Sequence, residues 1–215
     1  RMSMYFGSQR HFKSVTAAEL AALCAWIAFR AGDRVGGLVF RDQQIEQIRP
    51  LRSRSRLEAL FAAVVRANQR LHASGPDGED GEQFDKVLRS CVSMAGHDHL
   101  VCIISDFAGV TDNTLKLLRQ LSAHNDVIAL QVYDPIALQL PGTRQVTVTQ
   151  GSMQMELQVQ RRQVNRPLGE FLEGRLSAVS ELLRRSQVPL MMINTGEPTF
   201  EQVRRELGRL ASAAR

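Results

Sequence analysis

Leu100-Val-Cys-Ile-Ile-Ser-Asp-Phe107 decides how this chain is read. Five apolar side chains in succession are too few for a membrane-spanning helix and carry no polar face. They predict a central parallel strand, covered by helices on both sides. Ser105 and Asp106 fall at its C-terminal end, where an open α/β sheet places its binding crevice. A carboxylate at the lip of an apolar strand is costly unless water, hydrogen bonds or a cation compensate it. Asp106 is therefore the first candidate functional residue.

Outward from this strand, helices and strands alternate. Residues 14–30, rich in Ala and Leu, predict a buried helix capped by Ser14 or Thr16, with Trp26 in the core. Val35-Gly-Gly-Leu-Val-Phe40 reads as a short buried strand, and residues 44–51 as an edge strand closed by Pro50. Residues 54–71 carry apolar positions at helical spacing, and residues 73–81 form a loop rich in Gly, Asp and Glu. Helices at 83–95 and 112–124 flank the 100–107 strand, and residues 127–133 form another buried strand. Residues 144–150 and 153–159 alternate apolar and polar around Gly151-Ser152, which predicts an antiparallel hairpin. A helix over 168–186, a strand over 189–193 and a helix over 199–211 complete the pattern.

The predicted architecture is a doubly wound, mainly parallel α/β sheet of Rossmann-like type. It has one antiparallel edge and a hairpin insertion at about 143–160. Strands 35–40, 100–106, 127–133 and 189–193 are expected to lie in one sheet. The 215 residues suffice for a single domain with one sizeable core.

Composition narrows the function classes. The chain is 44% hydrophobic with a mean hydropathy of −0.17, and no window reaches the roughly 18 consecutive apolar residues of a span. No basic-then-apolar leader opens it, and Cys24, Cys91 and Cys102 lack metal-ligand spacing. Free, buried thiols and a cytoplasmic location are the expectation. The net charge of +5 comes almost wholly from Arg, with Lys only at 13, 86 and 116. The densest basic run, Arg49 to Arg56, has no interleaved aromatic residues to stack bases, so it reads as a solvated face and no nucleic-acid partner is expected.

Catalytic motifs are absent. Ser105 lies in no GxSxG elbow, position 108 is Ala where an aspartyl phosphatase places a second carboxylate, and His97-x-His99 has no third zinc ligand nearby. Gly32-x-x-x-Gly36-Gly37 enters a strand, so it is no phosphate cradle, and Met191-Met192 reads as packing.

Ser3-Met-Tyr-Phe-Gly-Ser8, Lys13-Ser-Val15, Ala17-Ala-Glu-Leu-Ala-Ala22, Trp26, Gly32-Asp-Arg-Val-Gly36 and Ser105-Asp-Phe107 together resemble the bacterial "domain of unknown function 58" family. That family is similar to von Willebrand factor A domains, whose metal-ion-dependent adhesion site holds Mg²⁺ through hydroxyl and carboxylate oxygens. The resemblance places Ser3 at the last Ser of the Asp-x-Ser-x-Ser loop and Asp106 at the Asp after the fourth strand. It also places Arg1 at a ligand position, where a fixed cation repels Mg²⁺ and can pair with Asp106. Gln83 falls near the position of the Thr ligand. The expected site is therefore degenerate, with Ser3 and Asp106 its remaining ligands. The family's first central strand would precede Arg1, so the sequence reads as N-terminally truncated, with a slot between strands 35–40 and 100–106.

The resemblance implies a non-enzymatic protein-interaction module that works with a MoxR-type AAA+ ATPase. Its expected binding surface is the C-terminal edge of the sheet, with Ser3, Phe6, Ser8, Gln83, Asp85, Asp106 and Thr111 in contact with the partner. The alternatives are a metal-dependent hydrolase using Asp106, or an electrostatic binder of nucleic acid or membrane surface using Arg49 to Arg56.

Overall fold

The computed structural model describes residues 1–71, 81–137, 145–150, 153–158, 174 and 176–213. After a 3₁₀ turn at Met2–Met4 come α1 (Lys13–Ala31), β1 (Val35–Phe40), β2 (Ile45–Leu51) and α2 (Arg54–Gln69). They are followed by α3 (Gly81–Ala95), β3 (Leu100–Ser105), α4 (Asp112–Ser122) and β4 (Asp126–Tyr133). The hairpin strands β5 (Gln145–Gln150) and β6 (Met153–Gln158) pair antiparallel, with Gln150 opposite Met153. Helix α5 (176–185), β7 (Leu190–Asn194) and α6 (Thr199–Ala213) follow. The remainder of the expected 168–186 helix lies outside the described residues.

The strands do not form the single sheet expected of them. β3, β4 and β7 make a parallel sheet in that order, whereas among the described residues β1 pairs only with β2, antiparallel. β4 is thus the central strand, and β3 is an edge strand. Leu100 is 63% exposed and residues 101–104 are half-buried, a correction to the reading of 100–107 as buried on both sides. The physical reason is pairing: β4 satisfies one edge of β3, and β1 forms no ladder with the other.

Strict alternation along β4 splits the core in two. Val127 and Ala129 pack with Leu88, Leu118 and Leu183 beneath α3, α4 and α5. Leu130 and Val132 pack with Leu20 of α1 and Val203 of α6 on the opposite face. A third cluster joins Ala25 of α1 to Val35, Ile48 and Leu57. Helices α1 and α3 touch β1, and α1 also touches β3, so helix packing holds the two sheets together where no ladder does. Phe40, Phe84 and Phe107 carry this bridge across the gap, with ring centroids 6.1 and 5.6 Å apart.

Gly37 belongs to packing as well. A Cβ there would lie 2.8 Å from Leu60 Cδ1, so the bare backbone lets α2 close onto β1. Gly32 ends α1 in the left-handed conformation at φ 95°, the usual glycine C-cap.

Three expectations for α1 need correction. Neither Ser14 nor Thr16 caps it: Phe12 holds the N-cap position without a side-chain bond, and Thr16 is buried one turn further in. Trp26 is 51% exposed, because the core-facing stripe runs through Thr16, Leu20 and Ala25. By length and composition α1 also meets the requirements of a membrane span, which the sequence reading did not allow. In this structure it lies along the sheet against β3 and β4, with Leu20 fully buried.

The two kinds of leucine should separate in a denaturation experiment. Leu183→Ala opens a cavity at a 0% exposed site and should cost about 3 kcal/mol. Leu100→Ala, on the open end of β3, should change stability by less than about 0.5 kcal/mol. Urea unfolding followed by circular dichroism reads both.

Candidate functional site

The C-terminal edge of the parallel sheet carries three buried or nearly buried carboxylates, each tied to hydroxyl or ammonium donors of this chain. The first is Asp106, just beyond β3, with its side chain 8% exposed. Lys13 Nζ sits 2.7 Å from Oδ2. On Oδ1, Ser3 Oγ and the Ala108 amide each donate at 3.2 Å. Phe107 adopts φ 53°, a conformation that bulky residues avoid, and its amide donates to Ser105 Oγ at 3.0 Å. This tight turn aims both Asp106 and the Ala108 carbonyl back at the first residues of the chain.

Ser3 and Asp106 are therefore hydrogen-bonded to each other, and the cation on Asp106 is Lys13 and not Arg1. Arg1 Nη1 instead donates to the Ala108 carbonyl at 2.8 Å, and its Nε lies 3.9 Å from Asp42 beyond β1. The Met2 amide also donates to Asp42, at 2.9 Å. Residues 1–4 thus tie together the ends of β1 and β3, the two strands that do not pair. A lysine in the first turn of a helix opposes the helix dipole, and α1 has neither a side-chain cap nor an acidic residue there. Asp106 offsets that unfavourable placement. A sequence signal for Lys13 existed in retrospect: it is one of only three lysines in an Arg-dominated chain, placed just before a predicted helix.

The second carboxylate, Asp134 beyond β4, escaped the sequence reading. It is 3% exposed and accepts bonds from the Ser8 amide at 2.8 Å, Thr195 Oγ1 at 2.6 Å and the Ile136 amide at 3.0 Å, as well as from the Ser8 hydroxyl. Its signal was positional, an Asp one residue past an apolar parallel strand, as with Asp106. The third, Asp85 of α3, accepts from Thr111 at 3.1 Å, Asn113 at 2.8 Å and Thr114 at 2.7 Å, fixing the capped start of α4. Gln83, two residues before Asp85 in α3, is 5% exposed and donates to the Arg41 carbonyl at 3.0 Å. Phe6 is half-buried, and its carbonyl receives the Lys13 amide at 2.7 Å. Five of the seven expected contact residues thus fall into separate knots around three aspartates, whereas Gln83 and Phe6 bond to backbone groups outside them.

As arranged, these residues do not fit Mg²⁺. A divalent ion needs free oxygen ligands in a near-octahedral set, and both Asp106 oxygens are engaged, one of them by an ammonium. Gln83 turns its amide nitrogen to a backbone carbonyl, and no group of three His, Cys, Asp or Glu gathers among the described residues. Nor do the described residues join Ser105 to a histidine base; its hydroxyl accepts the Phe107 amide. The cysteines are free and half-buried, with Cys102 hydrogen-bonded to Cys24 and pushed up by that bond and by burial.

Burial pushes the Asp106 carboxyl up, but the charge and hydrogen bond of Lys13, the Ala108 amide and the charge of Arg1 bring it down to about 2. A carboxyl depressed below its unfolded value near 3.9 stabilises the fold above that pH. The contribution, on the order of 2 kcal/mol, is lost as pH falls from about 4 through 2. Asp106→Asn should flatten the stability profile in that acid window. Lys13→Met, which strands a buried carboxylate, should cost about 3 kcal/mol at neutral pH. Urea unfolding at a series of pH values measures both; an unchanged acid limb in Asp106→Asn would mean that the pair is not coupled to folding.

A solved structure, described as the conserved hypothetical protein BatB from Bacteroides thetaiotaomicron, is similar in fold at a TM-score of 0.55 and 13% identity, over 98% of this chain and 94% of that one. An uncharacterised membrane spanning protein from Vibrio fischeri matches at 12% identity, over 97% and 93% of the two chains, but with a TM-score of only 0.30. Comparison with curated proteins returns no match. The model of one family covers residues 1–168, well over half of the chain, and so the chain belongs to the protein family of unknown function DUF58.

Proposed function

We propose that this chain is a non-enzymatic protein-interaction module of von Willebrand factor A-like type, working in the cytoplasm and binding its partner at the C-terminal edge of the sheet. The observation that carries the reading is the saturation of that edge. Asp106, Asp134 and Asp85 each spend their oxygens on hydroxyls, amides or Lys13 of the same chain. A hydrolytic site needs a carboxylate free to meet a metal, a water or a proton in flight. A recognition surface needs the opposite, side chains locked by their neighbours so that little order is lost on binding. In this reading Lys13 takes the part that a metal plays in adhesion sites of the same class, and the edge binds without Mg²⁺.

The family resemblance makes a MoxR-type AAA+ ATPase the first partner to test. Gln9 and Asp112 are exposed at this edge and serve none of the three knots through their side chains. Altered charge there, as Gln9→Glu with Asp112→Arg, should weaken capture of the purified ATPase about ten-fold or more, with an unchanged circular dichroism spectrum. Binding should persist in EDTA. Mg²⁺- or Mn²⁺-dependent turnover of a generic phosphoester, abolished by Asp106→Asn, would overturn the reading in favour of a hydrolase.

A further inference from the structure

Helices α1 and α6 leave an apolar groove of about 530 Å³ that no described residue fills. Leu23 and Trp26 of α1 form one wall, Pro198 and Phe200 the other, and Phe61 of α2 closes the side. Trp26 is 51% and Phe200 60% exposed, so two large aromatic side chains stand in water next to each other's walls. Leu207, 44% exposed, continues the stripe of Phe200 along α6 at helical spacing.

Around this groove three arginines outnumber two carboxylates, Glu19 and Glu201. Arg10 lines its mouth, Arg30 lies one turn beyond Trp26, and Arg204 lies one turn beyond Phe200. All three are exposed, and none has a carboxylate partner among the described residues. Glu19, the acidic residue in the lining, is already engaged by the Thr199 hydroxyl and lies 3.8 Å from His11. Glu201 sits about 100° round α6 from the Phe200 stripe. Apolar walls framed by guanidinium groups that have no carboxylate partner among the described residues match an amphipathic helix that carries its anchors at i, i+3, i+4 and i+7 and carboxylates along its flanks.

We infer that the α1–α6 groove is a docking site for an acidic amphipathic helix of a partner protein, separate from the carboxylate knots of the sheet edge. A second copy of this chain is a poor occupant, because a two-fold contact sets the same arginines against one another on a chain of net charge +5. A flat lipid surface does not enter a concave groove whose aromatic residues form the walls.

Trp26 is the only tryptophan in the chain, so its emission reports occupancy of this groove directly. The probe is a synthetic helical peptide of about five turns, with Leu and Phe on one face and Glu on the other. A control peptide has Lys in place of every Glu. The acidic peptide should give a saturable blue shift of Trp26 emission, and the control should bind about ten-fold weaker or worse. Phe200→Ala should weaken the acidic peptide by about ten-fold or more. Arg10→Glu combined with Arg204→Glu should invert the preference between the two peptides. Both variants alter exposed side chains, and circular dichroism checks that the fold is kept. No saturable shift, or equal binding of both peptides, overturns the inference. So does a shift that follows protein concentration alone, which marks self-association, or one produced only by phosphatidylserine vesicles, which marks a membrane face. Because Gln9 and Asp112 lie outside this groove, failure here leaves the edge proposal standing, and the converse also holds.

Discussion

The ion pair between Lys13 and Asp106 is the interaction on which the C-terminal edge depends. Its two side chains are 15% and 8% exposed, so water screens them little and neither charge is tolerable alone. One partner opens α1 and the other closes β3, so the pair fixes where α1 begins relative to the parallel sheet. Ser3 and the Ala108 amide complete the shell of Asp106, and Ala108 in turn holds Arg1. Removing either charge would therefore loosen residues 1–4, the left-handed turn at Phe107 and the first turn of α1 together. The cost of placing a lysine at a helix N-terminus is tolerated because the same ammonium neutralises a buried carboxylate.

The second constraint is the missing ladder between β1 and β3. Elsewhere a sheet is continuous because backbone hydrogen bonds run through it. Here side chains make the connection: Phe84 of α3 stands between Phe40 and Phe107, and α1 lies across both strands. Such a junction is apolar and non-directional, and it fixes the distance between the two sheets less tightly than a ladder would. The polar clasp at its end, Arg1 and Met2 reaching Asp42 and Ala108, supplies the direction that the aromatic packing lacks.

These constraints frame the two proposed surfaces. The edge offers rigid, internally satisfied carboxylates, and the adjoining helix face offers exposed aromatic side chains among exposed arginines. Both are shaped by the loop from Tyr5 to Phe12, which sends Ser8 to Asp134 and Arg10 to the mouth of the groove. One short segment thus links the sheet edge to the α1–α6 face, and a change in its conformation would be felt at both.

The sequence by itself determined the element types and the half-and-half core. Period-two alternation in β4 assigns Val127 and Ala129 to one face and Leu130 and Val132 to the other, whatever the neighbouring strands do. It also marked Ser3 and Asp106 as neighbours through family resemblance, and Asp106 as a carboxylate in need of compensation through burial alone. Tertiary structure decided the rest. An apolar run such as Leu100 to Ile104 looks the same whether it is central or at an edge, because the difference lies in which backbone groups find partners across space. In the same way, Trp26 and Leu20 share an apolar helix, and only the seating of α1 on the sheet buries one and exposes the other. Lys13 and Asp106 are 93 residues apart, and an ion pair over that separation has no local pattern; it exists because the fold brings a helix start to a strand end.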